Sequence, residues 1–262
     1  MSRRVALVTG ASRGIGAETA RILARAGTRV VVNYRAKTKR AEQVVADIVA
    51  ADGAAAAVQA DLTDVVQLDA MFDRVRAVHG RIDALVLNAS GGMERGADPG
   101  YALRLNRDAQ LAVLDRAAAL MPHGSRVVFV TSHLAHFHGS RPGLAAYESV
   151  ARSKRAGEDA LRARMPWLAE RGISLVVISG DMIDGTITVT LLDRMRPGLI
   201  EARRAQAGTI PTVEEFAAEV AAATTAPVAT GHTFYVGCTD HYSVPADPHD
   251  VVPGFGSTPH RR

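Results

Sequence analysis

Cysteine is nearly absent from this sequence: Cys238 stands alone among 262 residues. One thiol cannot close an intrachain disulfide, so the fold must rest on its apolar core, and a reducing compartment is the natural expectation. Aromatic residues are scarce as well, at 5%. A single-strand nucleic-acid binder interleaves aromatic with basic side chains, and neither helix-turn-helix nor zinc-finger spacing occurs here. The net charge of +4 is scattered along the chain, which reads as a solvated basic surface, with no nucleic-acid partner expected. No run approaches the ~20 apolar residues a bilayer span requires, so no membrane partner is expected either. The start, Met1-Ser2-Arg3-Arg4, leads straight into a strand-like segment without the apolar stretch of a secretory leader. A cytoplasmic protein is expected.

What the chain does have is 47% hydrophobic residues, ample for a core. Short β-branched runs alternate with helical stretches, the pattern of an α/β doubly wound parallel sheet with helices on both faces. Seven strands are expected, at Arg4–Thr9, Thr28–Asn33, Ala55–Ala60, Ala84–Asn88, Arg126–Thr131, Ser174–Ser179 and Thr233–Val236. Between two of them Val65, Leu68, Phe72 and Val75 recur at helical spacing and predict one apolar face. Thr212 and Glu215, just ahead of Phe216, carry a capping-box signal for a late helix. No linker interrupts the series, so residues 1–244 read as a single domain. About 187–208 read as a lid over a substrate, and 245–262, rich in Pro, Gly and His, as a flexible tail.

The first strand runs into Gly10-Ala11-Ser12-Arg13-Gly14-Ile15-Gly16 and then a helical stretch. Three glycines at a strand–helix junction let the backbone approach a pyrophosphate, and the helix N-terminus offers it free N–H groups. A dinucleotide is therefore expected, with Gly10, Ser12, Arg13, Gly14, Ile15 and Gly16 around it. At the end of the second strand, where NAD binders commonly place an acid, stands Asn33, followed by Tyr34 and Arg35. Arg13 and Arg35, helped by some of Lys37, Lys39 and Arg40, suit a 2′-phosphate by charge and donor geometry. NADP(H) is the expected cofactor.

With these residues the chain resembles the short-chain dehydrogenase/reductase superfamily over about residues 3–240, which implies a Rossmann fold. Thr9-Gly10-x-x-x-Gly14-x-Gly16 matches that family's signature. Asp61-Leu62 resembles its adenine-contacting pair, and Asn88-Ala89-Ser90-Gly91 resembles its Asn-Ala-Gly motif with Ser90 in place of glycine. Asn106 is similar to the helix asparagine of the family's proton relay, and Ser132 falls where the catalytic serine belongs. Ser179-Gly180 resembles the Pro-Gly motif, which makes Ile183 and Thr186 candidate nicotinamide contacts. The resemblance also implies a homo-oligomer, a dimer or tetramer.

The active-site signature departs from the family's usual Tyr-x-x-x-Lys: Tyr147 is followed by Lys154, seven residues on. On a continuous helix that spacing still puts both side chains on nearly one face, with Cα atoms about 10.5 Å apart. The Tyr-x6-Lys spacing is similar to enoyl-acyl-carrier-protein reductases, most closely the NADPH-using type III enzymes. The expected catalytic set is Ser132, Tyr147, Lys154 and Asn106, with Lys154 also holding the nicotinamide ribose. Ser132 lies 15 residues before Tyr147, and the loop between them carries His133, His136 and His138. His-x-x-His-x-His is a poor ligand spacing, so no metal is expected; a substrate-facing or proton-donating histidine and one without a role are both open. Three functions compete. One is NADPH-dependent reduction of a ketone (a 3-oxoacyl thioester or polyketide-like carbonyl), on a small-molecule or carrier-bound substrate. The others are enoyl thioester reduction and non-catalytic NADPH sensing.

Overall fold

Runs such as Val30-Val31-Val32 and Val127-Val128-Phe129-Val130 have no polar face to turn to water, and a strand of that kind is stable only when covered on both sides. The computed structural model, which describes residues 3–94, 96, 98–239 and 251–252, covers them in that way. Its strands are β1 (Val5–Val8), β2 (Arg29–Tyr34), β3 (Ala54–Gln59), β4 (Ala84–Leu87), β5 (Arg126–Ser132), β6 (Ser174–Gly180) and β7 (Thr233–Val236). They form one seven-stranded sheet in the order β3-β2-β1-β4-β5-β6-β7, every neighbouring pair parallel. Each expected strand is present.

Helices α1 (Gly14–Arg25) and α2 (Thr38–Ala50) lie on one face with a late helix at Val213–Ala223; α3 (Val65–His79) lies on the other. That second face also carries α4, continuous through Tyr101–Leu103, a π-helical turn Arg104–Asp108 and Ala109–Ala118, and α5 (Glu148–Ala163). The segment expected as a lid forms α6 (Ile187–Met195) and α7 (Leu199–Ala207); the late helix is α8. Thr212 and Glu215 cap α8 reciprocally, as their spacing predicts. The apolar stripe of α3 is Leu68, Met71, Phe72 and Val75. Val65 is 61% exposed, because it is the first residue after the Asp64 cap and faces outward.

Because the strand order turns back between β1 and β4, the connections on either side of that point leave opposite ways and open a crevice at the strand C-termini. Within the segment expected as a tail, Val251–Val252 pair antiparallel with Gly143–Leu144; its other residues, 245–250 and 253–262, lie outside the described residues.

Candidate active site

The crevice is about 640 Å³, and every residue assigned to the cofactor from sequence lines it, as do Ser132 and Tyr147. Asn106 does not. The glycine-rich loop is built for close approach. A Cβ on Gly10 would stand 2.9 Å from the Cα of Ala89, and one on Gly16 would stand 2.5 Å from Nδ2 of Asn88. Gly14, at φ +55°, would instead point a Cβ into open space. The N-terminus of α1 has no side-chain cap, so its first amides remain available to an anion. This cradle, with Arg13, Arg35, Lys37 and Arg40 on the cleft wall, fits a dinucleotide carrying an extra phosphate.

Asn88 and Thr9 lock the loop. The Thr9 hydroxyl accepts from the amides of Asn88 and Ala89 at 2.9 and 3.0 Å, and the Asn88 side chain donates to the Thr9 carbonyl at 2.9 Å. Asn33 does more structural work than its assignment implied. Its Oδ1 accepts from the Gly10 amide at 3.2 Å, while its Nδ2 donates to the carbonyls of Val58 and Ala60. It thus braces the loop against β3 while bringing no negative charge to the end of β2. Asp61 folds back on Thr63, accepting from its amide and hydroxyl. Arg35 donates to the hydroxyl of Tyr101, its guanidinium 5.7 Å from the ring centroid. Tyr101 also lines the cleft, a neighbour that no sequence motif announced.

Ser132 ends β5 and caps a short helix, His133–His136, accepting from the Ala135 amide at 3.3 Å. Its Oγ lies 3.4 Å from the hydroxyl of Tyr147. With a lone pair engaged by Ala135, Ser132 is free to donate its proton. The expected continuous helix from Tyr147 to Lys154 starts one residue late: Tyr147 closes a 3-10 turn, Ala145–Tyr147, and α5 begins at Glu148. Both side chains still reach the same cleft. Burial pushes the Tyr147 phenol up, with Ser132 opposing, so Tyr147 keeps its proton at neutral pH. Burial also pulls the Lys154 ammonium down to about 8, against the pull of Glu158 one turn along. Asn106, in the π-helical turn of α4, donates to the Gly91 carbonyl and to Ser153 Oγ, both at 2.9 Å. It ties the loop after β4 to α5 beside Lys154.

The three loop histidines diverge. His133 is buried on the cleft wall, with Nδ1 2.7 Å from Ser179 Oγ; a proline at 179 would offer no such partner. His136 sits between Glu158 and Tyr235, at 2.9 Å from each, and His138 meets Glu148. Burial pushes the Glu158 carboxyl up, but His136 and Arg162 outweigh it and the net displacement is downward. Among the described residues no cluster of histidine, cysteine and carboxylate suits a metal ion, and no helix is long and apolar enough to cross a membrane.

The parallel seven-stranded sheet with helices on both faces is shared with known proteins. The family model for short chain dehydrogenases matches residues 4–196, and the chain belongs to that family. It is 35% identical over 190 residues to a 1-cyclohexenylcarbonyl-CoA reductase of Streptomyces collinus, covering 70% of this chain and 65% of that one. It is 35% identical over 204 residues to a 3-oxoacyl-[acyl-carrier-protein] reductase of a Synechocystis species, covering 73% and 78%. The chain thus spans just under two thirds of the Streptomyces relative's length, and 52% of that of a fungal short-chain dehydrogenase/reductase from Pestalotiopsis microspora. Among solved structures it resembles the angucycline C-6 ketoreductase LanV with bound NADP, at TM-score 0.73, 27% identity and coverage of 90% of this chain and 95% of that one.

Proposed function

We propose that the protein is an NADPH-dependent ketoreductase acting on a 3-oxoacyl or polyketide-like carbonyl. The observation that carries this reading is the convergence of two hydroxyls, Ser132 Oγ and Tyr147 OH at 3.4 Å, in the cleft that also holds the glycine cradle and Lys154. Two donors at one point suit a carbonyl oxygen that gains negative charge as its carbon is reduced. Ser132 orients that oxygen and Tyr147 protonates it. Lys154 holds the ribose side of the cofactor, and Asn106 keeps α4 and α5 in register behind it. NADPH, when bound, supplies the hydride. The relatives named as 3-oxoacyl reductase and angucycline ketoreductase support the same class of reaction, as does LanV's bound NADP for the cofactor. A cytoplasmic homo-oligomer goes with this reading, and light scattering and cell fractionation test those two attributes.

One other reading has specific support. The seven-residue tyrosine–lysine spacing and the Streptomyces relative's name favour enoyl thioester reduction. Incubation with NADPH and matched 3-oxoacyl and enoyl thioesters, with products weighed by mass spectrometry, separates the two. A hydroxyacyl product is expected; a saturated acyl product alone would establish the other reaction. Replacing Arg35 by Asp is expected to weaken NADPH binding more than NADH binding, because the carboxylate repels the 2′-phosphate. Equal losses for both cofactors would count against the NADPH assignment.

A further inference from the structure

Helix α7 carries an arginine that lies in the wrong place for a surface residue. The side chain of Arg203 is 2% exposed, and that of Asp181, its partner one residue beyond β6, is 0% exposed. Arg203 donates Nε to both Asp181 oxygens, at 2.9 and 3.0 Å, and Nη2 to Oδ2 at 2.5 Å. Nη2 also donates to the Cys238 carbonyl at 2.9 Å, just after β7. Asp181 also accepts from the amides of Met182 at 2.7 Å and Cys238 at 3.2 Å. A buried bidentate pair satisfied on both sides fixes direction as well as distance, and what it fixes here is α7 against the end of the sheet.

The consequence reaches the cleft through Leu199. Residues four apart share a helix face, so the anchor at Arg203 sets where Leu199 rests. Leu199 packs on the cluster of Leu134, Tyr147 and Leu192. Leu192 belongs to α6, which supplies Ile187, Val189 and Leu192 to the cleft wall. We propose that Asp181 and Arg203 are positioning residues that hold the lid, α6 and α7, at a set height over Tyr147, and that the wall so formed selects apolar ketones. The substrate clause rests on the ketoreductase reading; the lid clause does not.

The test compares wild type with Arg203→Met, Arg203→Lys and the double variant Asp181→Asn/Arg203→Met. The ketone is trans-1-decalone, NADPH affinity is read by fluorescence titration, and lid mobility by hydrogen–deuterium exchange. Loss of binding that is equal in ground and transition states raises KM and spares kcat, so Arg203→Met is expected to raise the decalone KM about tenfold, with kcat and NADPH affinity within about threefold. Exchange across 187–208 is expected to quicken while that of β1 and β4 stays unchanged, and Arg203→Lys to recover part of both effects. The double variant removes the stranded charge, so it guards against loss of folding in Arg203→Met. Its KM is expected to stay high, because the directional bonds are gone. A wild-type KM in the folded double variant would reduce the pair to a stabilising contact and overturn the proposal. Unchanged exchange in the lid would overturn it too, as would an NADPH affinity that falls in step with KM. Should the wild type turn over no ketone at all, the ketoreductase reading fails, and exchange with NADPH titration still decides the lid clause.

Discussion

Tyr147 and Lys154 stand on one wall of the cleft, yet burial moves them in opposite directions: the phenol rises and the ammonium falls to about 8. For Tyr147 the result is a proton retained at neutral pH, as the proposed donor role requires. Tyr147→Phe is expected to lower kcat by ~10²–10⁴-fold, the usual worth of a positioned acid, with NADPH affinity unchanged in a fluorescence titration. For Lys154 the sign matters. Its charged form is disfavoured in the folded protein, so the residue costs stability below pH 8, where the folded and unfolded chains both carry the proton. That cost is relieved as pH rises from about 8 toward the ordinary lysine value of 10.5, where only the unfolded chain stays protonated. The proposed hold of Lys154 on the cofactor runs the other way and weakens as the charge is lost. NADPH affinity is therefore expected to decline above about pH 8. Lys154→Met should flatten that profile while raising the melting temperature of the cofactor-free protein at pH 7. A steep decline persisting in Lys154→Met would point to another titrating group.

At the scale of elements, α4 and α5 meet more tightly than side chains permit. A Cβ on Gly157 would stand 2.0 Å from the Asn106 carbonyl oxygen. Gly157→Ala is thus expected to push the helices apart, at about 1–3 kcal/mol for overpacking, and to lower activity by loosening Asn106 from Ser153. Thermal melts and kcat check both effects. The strands were legible in the sequence because a sheet covered on both faces writes itself as unbroken apolar runs. The glycine loop was legible because its chemistry is local, seven consecutive residues from Gly10 to Gly16. Other features were not. The start of α5 at Glu148 depends on a 3-10 turn that periodicity does not mark. Val65 fits the apolar spacing of α3 but sits in its first turn, outside the packed stripe. Arg203 lies 22 residues from Asp181, in the stretch read only as a lid, and no local motif spans that separation. Tyr101 carries no motif, and only the fold brings it to Arg35.

For the molecule as a whole, the family match ends at residue 196, but the sheet does not. Strand β7 and helix α8, with Phe216 1% exposed in the core, lie beyond it. A chain ending at 196 is therefore expected to fail to fold, whereas one ending at Val244 gives up only the short ladder between Val251–Val252 and Gly143–Leu144 among the described contacts. Circular-dichroism melts of the two truncations check this, and a large loss in the longer one would show that the segment 245–262 braces the domain. The contact between Arg35 and Tyr101 has a bearing on time. It joins the end of β2 to the start of α4, and both residues line the cleft, so a 2′-phosphate that takes Arg35, as proposed, must first draw it away from Tyr101. Entry gated in this way has a ceiling: in stopped-flow mixing, the observed rate of NADPH binding is expected to level off at high concentration. In Tyr101→Phe, which keeps the ring and removes the hydroxyl, it should climb linearly over the same range.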